Sequence, residues 1–529
     1  MLDGKSAFDV VVHANLIRRL YQIGISDQSL LMIQNLYQNA ATCIKWNGHL
    51  SEPFLVEQGV RQGGAISADL YKVYVNPLLN LLCETGLGGK IGNINCCAPT
   101  CADDVAIIAT NPLEIQSLVD IAVDFSRREG YLLQPTKSVI LPVRTTTKTI
   151  ETEEGFWNMD DKPMPKKNSV LLTVEENIKK ARRTLYSLMG SGLHGTNGLD
   201  PETILTLVKT YVLPILTYGL EILIPKGKSL TTLNLYHKKL LKQLLSLSTN
   251  TADPAIYILS GMIPIEAELH IKILTLFGTI SRSEKTSNEW RIAERQLKLK
   301  SFNSNSWFID IKKICLLYNI ENIEKYLDNP LTKSKWKSFI DNKVQSYWTN
   351  KILDDSKMYS TLQYMNCQYT IGKIHPLITT KTANNRDIVR IPSRTKIATG
   401  TYIFQSNRAS FNKNKVNPTC KLCNKSPETL SHFLLTCESL EMVRKRLVDI
   451  IIDMGSELLA KSYFAEEVDL IQLIANPFYY TVNKCNNEIV QNIAGQLERV
   501  CRQLINNLHM KRYDLLIKQQ KCEKKNNLS

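Results

Sequence analysis

The chain has 529 residues, 43% of them hydrophobic and 22% charged, with 65 Lys and Arg against 50 Asp and Glu for a net charge of +15. This globular composition excludes wholesale disorder, and the length allows several domains with a sizeable core. The positive excess favours polyanionic partners, nucleic acid first.

In chain order, residues 14–23 and 27–38 space Leu, Ile and Tyr as helices do. ATCIKWNGHLSEPFLVEQG reads as a hairpin turning at Asn47-Gly48. SADLYKVYVNPLLNLLCETG reads as a long buried helix kinked at Pro77. GKIGNINCC and CADDVAIIA read as two short strands. NPLEIQSLVDIAVDFSRREG predicts an amphipathic helix with Asn111 as N-cap, Pro112 in its first turn and Gly130 at its stop. TTTKTIETEEGFWNMDDKPMPKK is polar and reads as a surface loop or flap. TVEENIKKARRTLYSLMG opens with Thr173 and Glu176, spaced as a capping box. Helical patterns continue through 201–224 and 229–247, and residues 250–410 read as mostly helical and polar. The most apolar run, Val212 to Ile224, is broken by Pro214 and Glu221 and is too short to cross a bilayer. MLDGKSAFDV is no secretion signal, so an intracellular setting, nucleus or cytoplasm, is expected. With 13 cysteines, an odd number irregularly spaced, Cys clusters are read as metal sites before disulfides.

Asp103 and Asp104 are adjacent carboxylates in an apolar, strand-like run. Neighbours on a strand face opposite ways, so both reach one point only at a hairpin bend. A divalent cation gives a reason to concentrate carboxylates there, and Mg²⁺ uses one or two of them together with water and phosphate oxygens. A third carboxylate on a neighbouring strand completes a two-metal site for phosphoryl transfer, and Asp3 is the candidate. Taken alone, the pair is more commonly explained as solvated surface aspartates.

The order of blocks decides between these. LDGKSAFDVV, GVRQGGAISADLY, CADDVAII and GYLLQPTKS resemble, in sequence, motifs A, B, C and D of the reverse transcriptases of non-LTR retrotransposons. The resemblance covers about residues 1–145 and continues more loosely through the helical stretch that follows. It implies an α+β fold: a right-hand polymerase palm over residues 1–145, a loop and helical thumb-like region over 146–228, a helical region over 229–410, a small zinc module over 411–440 and a helical basic tail over 441–529. It implies RNA-directed DNA polymerase activity, with two Mg²⁺ ions, deoxynucleoside triphosphates, an RNA template, a DNA primer or target, and no membrane partner. Asp3 matches the motif A metal ligand, Asp103 the first motif C aspartate and Asp104 its neighbour. Phe8 falls where the family places a steric gate against the ribose 2′-OH. Gln62 and Gly63 match the motif B pair along nucleotide and template. Arg61 touches phosphate or forms a salt bridge. Lys137 matches the motif D lysine that protonates pyrophosphate; read by itself, it is a solvated cation.

The pattern also departs from the family. A fingers region is expected ahead of motif A, yet Asp3 stands two residues from the start of the sequence, so the expectation is a 5′-truncated element with partial loss of fingers. Ala68 stands where proline is usual, and no primer-grip segment is recognised in KKNSVLLTVEEN. The alternative function is a catalytically inactive, nucleic-acid-binding remnant of a decayed element.

CKLCNKSPETLSHFLLTC supplies Cys420, Cys423, His432 and Cys437 in a C-x2-C-x8-H-x4-C spacing. Four such ligands can close a tetrahedron around one structural Zn²⁺, with His432 and Cys437 about a turn apart on a helix. Buried thiols beside an unrelated His are the alternative. The cluster also resembles the cysteine-histidine motif following the polymerase in many non-LTR elements, which implies nucleic-acid binding and compaction of the C-terminal region. HMKRYDLLIKQQKCEKK reads as a basic helix, solvated or touching nucleic acid. Cys96 and Cys97 read as ordinary buried thiols.

Overall fold

The computed structural model describes residues 1–4, 6–61, 63–101, 103–141, 157–159, 162–164, 171–190, 199–365, 369–379, 385–413, 415–462, 468–484 and 487–526. It is mostly helical, with short strands. The chain divides into two compact units, Met1–Leu172 with Ser283–Lys298, and Thr173–Arg282 with Leu299–Ser529.

In the first unit, α1 (His13–Gln22) and α2 (Asp27–Tyr37) lead into a double hairpin. Its strands are β1 (Ala41–Thr42), β2 (Lys45–Trp46), β3 (His49–Leu50) and β4 (Phe54–Leu55), β2 pairing with β3 and β1 with β4. Asn47 and Gly48 both take positive φ (47° and 85°), the two-residue turn that suits the twist of a hairpin. Next, α3 (Ser67–Glu84) buries Leu70, Tyr74, Leu78 and Leu82. That i, i+4 series is one helix face, and it packs into the core of the unit. Pro77 lies inside α3, where it removes one backbone donor.

The two expected short strands are each a hairpin. β5 (Lys90–Ile91) pairs with β6 (Ile94–Asn95), and β7 (Thr100–Cys101) with β8 (Asp104–Val105). α4 (Pro112–Glu129) begins and ends as predicted: Asn111 Oδ1 accepts the Leu113 N–H at 2.8 Å, and Gly130 closes the helix at φ 82°. The buried Glu129 carboxylate receives Arg19 at 2.5 Å and Arg18 at 3.4 Å, tying α4 to α1. Most of the expected flap lies outside the described residues; Trp157–Met159 and Lys162–Pro163 contribute a small hairpin whose Trp157 Nε1 donates to the Pro112 carbonyl at 3.2 Å.

In the second unit three expectations are corrected. Helix Leu171–Gly190 starts two residues before Thr173, so Thr173 is inside the helix and makes no capping box. The pattern over 201–224 is interrupted: a π-turn occupies Val208–Val212, and the helix breaks at Thr217–Gly219, where Gly219 takes φ 71°. Residues 250–410 are helical but not polar throughout. Ile256, Leu259, Ile265, Ile273, Leu274, Phe277 and Ile340 are almost wholly buried. Helices Ile265–Ser281 and Lys333–Lys357 meet where Trp336 donates to the Leu274 carbonyl at 2.8 Å. Gly278 permits this approach, since a Cβ there would lie 2.2 Å from the Trp336 ring. Further on, Arg394 and Glu498 form a buried bidentate pair at 2.7 and 2.5 Å, joining helices Asn385–Ala398 and Glu488–Asn526. No helix among the described residues is long and apolar enough to cross a membrane.

Candidate active site and candidate metal centre

The acidic centre of the first unit is built by backbone pairing around residues 1–4. Leu2 pairs antiparallel with Val105, its N–H donating to the Val105 carbonyl at 2.7 Å. Leu2 and Val105 are 2% and 5% exposed, so both side chains turn into the core. By the register of this bridge Asp3 then stands opposite Asp104. On the other side Gly4 pairs with Leu133, the Gln134 N–H donates to the Asp3 carbonyl at 2.8 Å, and the Asp3 N–H donates to Ser138 Oγ at 3.0 Å. Asp3 is therefore held from both sides by segments more than a hundred residues away in sequence.

Asp103 occupies the turn joining β7 to β8, and Asp104 is the first residue of β8. The pair thus sits at the hairpin bend that two adjacent carboxylates require. Asp103 is half-buried and Asp104 exposed. Asp3 Oδ2 is buried and accepts no hydrogen bond among the described residues; Lys137 Nζ lies 3.9 Å from it. A buried, unshared carboxylate oxygen beside two further aspartates suits a divalent cation, which takes oxygen donors. The three carboxylates are not gathered as tightly as the cysteine-histidine ligands described below.

Phe8 follows Asp3 in an irregular turn. Its carbonyl accepts the Val60 N–H at 2.7 Å, and Val11 accepts the Gly59 N–H at 2.8 Å, so the two motif segments run side by side. Gly59 takes φ 95°, and a Cβ there would lie 2.9 Å from the Asp9 carbonyl oxygen; only glycine fits this contact. Beyond it, Arg61 is exposed, and its carbonyl accepts the Ser67 hydroxyl at 2.5 Å and the Gly64 N–H at 3.1 Å. These bonds lead the chain into α3. Gly63 takes φ 80° and faces open space. Gln62 lies outside the described residues.

Sequence reasoning passed over Tyr71 as a core residue of α3. Its ring stacks on Phe8 with centroids 4.6 Å apart and planes 21° from parallel. Burial pushes the Tyr71 phenol up, and the nearby Asp103 carboxylate adds to this. The only available signal was an aromatic nine residues after Gln62, which apolar helix spacing already explains.

The cysteine-histidine cluster lies in the second unit. The ligand atoms of Cys420, Cys423, His432 and Cys437 all fall within 4.8 Å of one another. Cys420 Sγ is 4.0 Å from Cys437 Sγ, and Cys423 Sγ is 3.4 Å from His432 Nε2. A tight turn carries the first pair: the Asn424 N–H returns to the Cys420 carbonyl at 2.8 Å, with Asn424 at φ 54°. The second pair sits on a π-turn, His432–Thr436, closed by the Cys437 N–H on the His432 carbonyl at 2.9 Å. This is the reason an i, i+5 pair can converge: on an α-helix it would diverge by roughly 140°, whereas the wider π-turn returns it to nearly one face. The other imidazole nitrogen, Nδ1, lies 3.1 Å from the Thr436 hydroxyl, leaving Nε2 toward the thiols. Burial and the Cys420 and Cys423 thiols push the Cys437 thiol up to about 12. A bound cation reverses that tendency by favouring the thiolate.

Two residues bracing this cluster escaped the sequence reading. Glu428 is buried and receives Arg512 through both carboxylate oxygens, at 2.7 and 3.0 Å, and the Gln405 N–H at 2.8 Å. Arg512 belongs to the basic tail, so this side chain is turned inward while its neighbours Lys511 and Tyr513 stay exposed. Phe433 is buried among Tyr402 and Phe404, consistent with a local core.

Residues 1–155 match the family described as "Reverse transcriptase (RNA-dependent DNA polymerase)", which implies a palm-type polymerase fold for this part of the chain. The chain is 25% identical over 272 residues to "Retrovirus-related Pol polyprotein from type-1 retrotransposable element R2" of Popillia japonica, covering 48% of this chain and 37% of that protein. It is 30% identical over 159 residues to the corresponding polyprotein from type-2 element R2DM of Drosophila melanogaster, covering 30% of this chain and 15% of that one. It is 34% identical over 122 residues to "Transposon TX1 uncharacterized 149 kDa protein" of Xenopus laevis, covering 23% of this chain and 9% of that one. Residues 1–155 thus carry a reverse transcriptase domain, and the chain is similar to the polyproteins of these retrotransposable elements. It spans between 9% and 37% of the length of these curated relatives.

Proposed function

We propose that the chain acts as an RNA-directed DNA polymerase, joining a deoxynucleoside triphosphate to a primer 3′-hydroxyl on an RNA template. The observation that carries this reading is the Leu2–Val105 pairing, which sets Asp3 against the Asp103–Asp104 bend with Lys137 beside it. Asp3, Asp103 and Asp104 would hold two Mg²⁺ ions, which when bound would neutralise charge on the triphosphate and favour the ionised hydroxyl. The chain's own residues do the rest. The three carboxylates provide the oxygen donors. Phe8 presents a flat ring against a ribose 2′-OH. Gly63 and Arg61 line the nucleotide and template path, and Gln62 is assigned to it by its motif match alone. Lys137 holds a proton within reach of the departing pyrophosphate. In this reading residues 1–145 are a right-hand palm and 146–228 are thumb-like.

We further propose that Cys420, Cys423, His432 and Cys437 hold one structural Zn²⁺. With Zn–S near 2.3 Å and Zn–N near 2.05 Å, tetrahedral edges are about 3.8 Å for S···S and about 3.6 Å for S···N, and the corresponding separations here are 4.0 and 3.4 Å. The closed set of four donors leaves no position for substrate. The basic surface is assigned to phosphate contacts with RNA and DNA, which weaken with salt.

The test is primer extension on an RNA template with Mg²⁺. Asp3→Asn and Asp103→Asn each abolish product, while Cys420→Ser leaves chemistry largely intact. Full extension by Asp103→Asn rules out its role. A wild-type chain that binds RNA but never extends a primer supports the non-catalytic remnant instead.

A further inference from the structure

A ring rejects a 2′-hydroxyl only if its plane is fixed. Phe8 is half-buried in an irregular turn and packs at the edge of the core. The stack on its neighbour is the contact that sets the plane of the ring. Tyr71 is 5% exposed and lies on α3, whose Leu70, Tyr74 and Leu78 lock that helix into the core. The start of the same helix is tied back to motif B through Ser67 and Arg61. The stacked geometry, 4.6 Å and 21°, leaves Phe8 little freedom to tilt. The Tyr71 phenol is also within electrostatic reach of Asp103, so one residue borders both the sugar wall and the acidic bend.

We propose that Tyr71 is a positioning residue for sugar selection, its ring holding Phe8 in the plane that excludes ribonucleotides. The inference rests on the polymerase reading above. It makes specificity a property of a pair of rings.

The experiment measures single-nucleotide incorporation by the full chain and compares kcat/KM for deoxynucleoside and ribonucleoside triphosphates. Tyr71→Leu lowers the discrimination ratio about tenfold, with the loss arising from better ribonucleotide use. Tyr71→Phe keeps the stack and restores the wild-type ratio. Phe8→Ala lowers the ratio by itself, and adding Tyr71→Leu to it changes the ratio no further, an outcome that a merely structural role of Tyr71 does not produce. Thermal melting monitors folding, and if Tyr71→Leu does not fold, Tyr71→Met replaces it as a bulkier apolar substitute without a flat ring. A wild-type ratio in the folded Leu or Met variant overturns the inference, as does an equal effect of Tyr71→Leu with and without Phe8. If the wild-type chain itself extends no primer, the polymerase reading fails and this inference fails with it. If it extends and only the ratio refuses to move, the inference alone fails.

Discussion

Replacing Lys137 with alanine separates two roles by magnitude. The ammonium lies 3.9 Å from Asp3 Oδ2, with side chains 65% and 27% exposed. At that separation the attraction is about 1 kcal/mol in bulk water and about 4 kcal/mol at an effective dielectric constant of 20. The exposed ammonium puts the pair near the lower figure, and side-chain entropy reduces the net gain to below about 1 kcal/mol. Thermal unfolding should therefore move by no more than about 2 °C. Loss of a general acid is a much larger effect, roughly 10²- to 10⁴-fold in kcat, or about 3–5 kcal/mol of barrier. Single-turnover incorporation on an RNA template measures it directly. Lys137→Arg is the decisive companion, because arginine keeps the charge beside Asp3 but does not release its proton. It should fold as well as wild type and remain slow. Full rate in Lys137→Arg, or an unchanged kcat in Lys137→Ala, refutes proton donation and leaves Lys137 as a counter-charge.

Other outcomes follow from the same geometry. Purified protein should contain about one equivalent of zinc, lost in Cys423→Ser and on chelation, with a lowered melting temperature; clean protein without metal ends that assignment. Glu498→Gln leaves the buried Arg394 and Arg502 guanidinium groups facing a neutral amide, and should destabilise the fold by about 3–5 kcal/mol in urea titration. His237 and His375 are buried and His270 is half-buried, and desolvation lowers each to about 4. The unfolded chain takes up their protons near pH 6.5, so the stability they contribute is complete above that value and is lost as pH falls toward 4. At pH 5 the loss is about 2 kcal/mol for each. Neither ring nitrogen of His237 finds a hydrogen-bond partner among the described residues. His237→Phe should therefore keep stability at pH 7.5 and flatten the acid limb; an unchanged acid limb contradicts the argument.

Local signals in this sequence were legible because their physics is local. Asn47-Gly48 forms its turn because both residues tolerate positive φ. Asn111 caps α4 because its side chain reaches an N–H two residues on. The capping box at Thr173 failed for the same reason seen from the other side: apolar residues upstream extend the helix past the cap signal, so Thr173 falls inside it. The interior of 250–410 was misjudged because its buried positions are scattered among exposed lysines and asparagines, which dilute the average without touching the packed face.

The order of the four motif blocks and the spacing of three cysteines and a histidine were fixed by sequence alone, and they named both the chemistry and its candidate residues. Only the tertiary structure decided that Asp3 is clasped between residues 105 and 133–138, that Tyr71 backs Phe8, and that Arg512 of the tail turns inward to Glu428. The reason is distance along the chain. A cap or a turn is settled within a few residues, whereas pairings across 60 to more than 100 residues depend on which faces the whole core buries, and no local pattern carries that information.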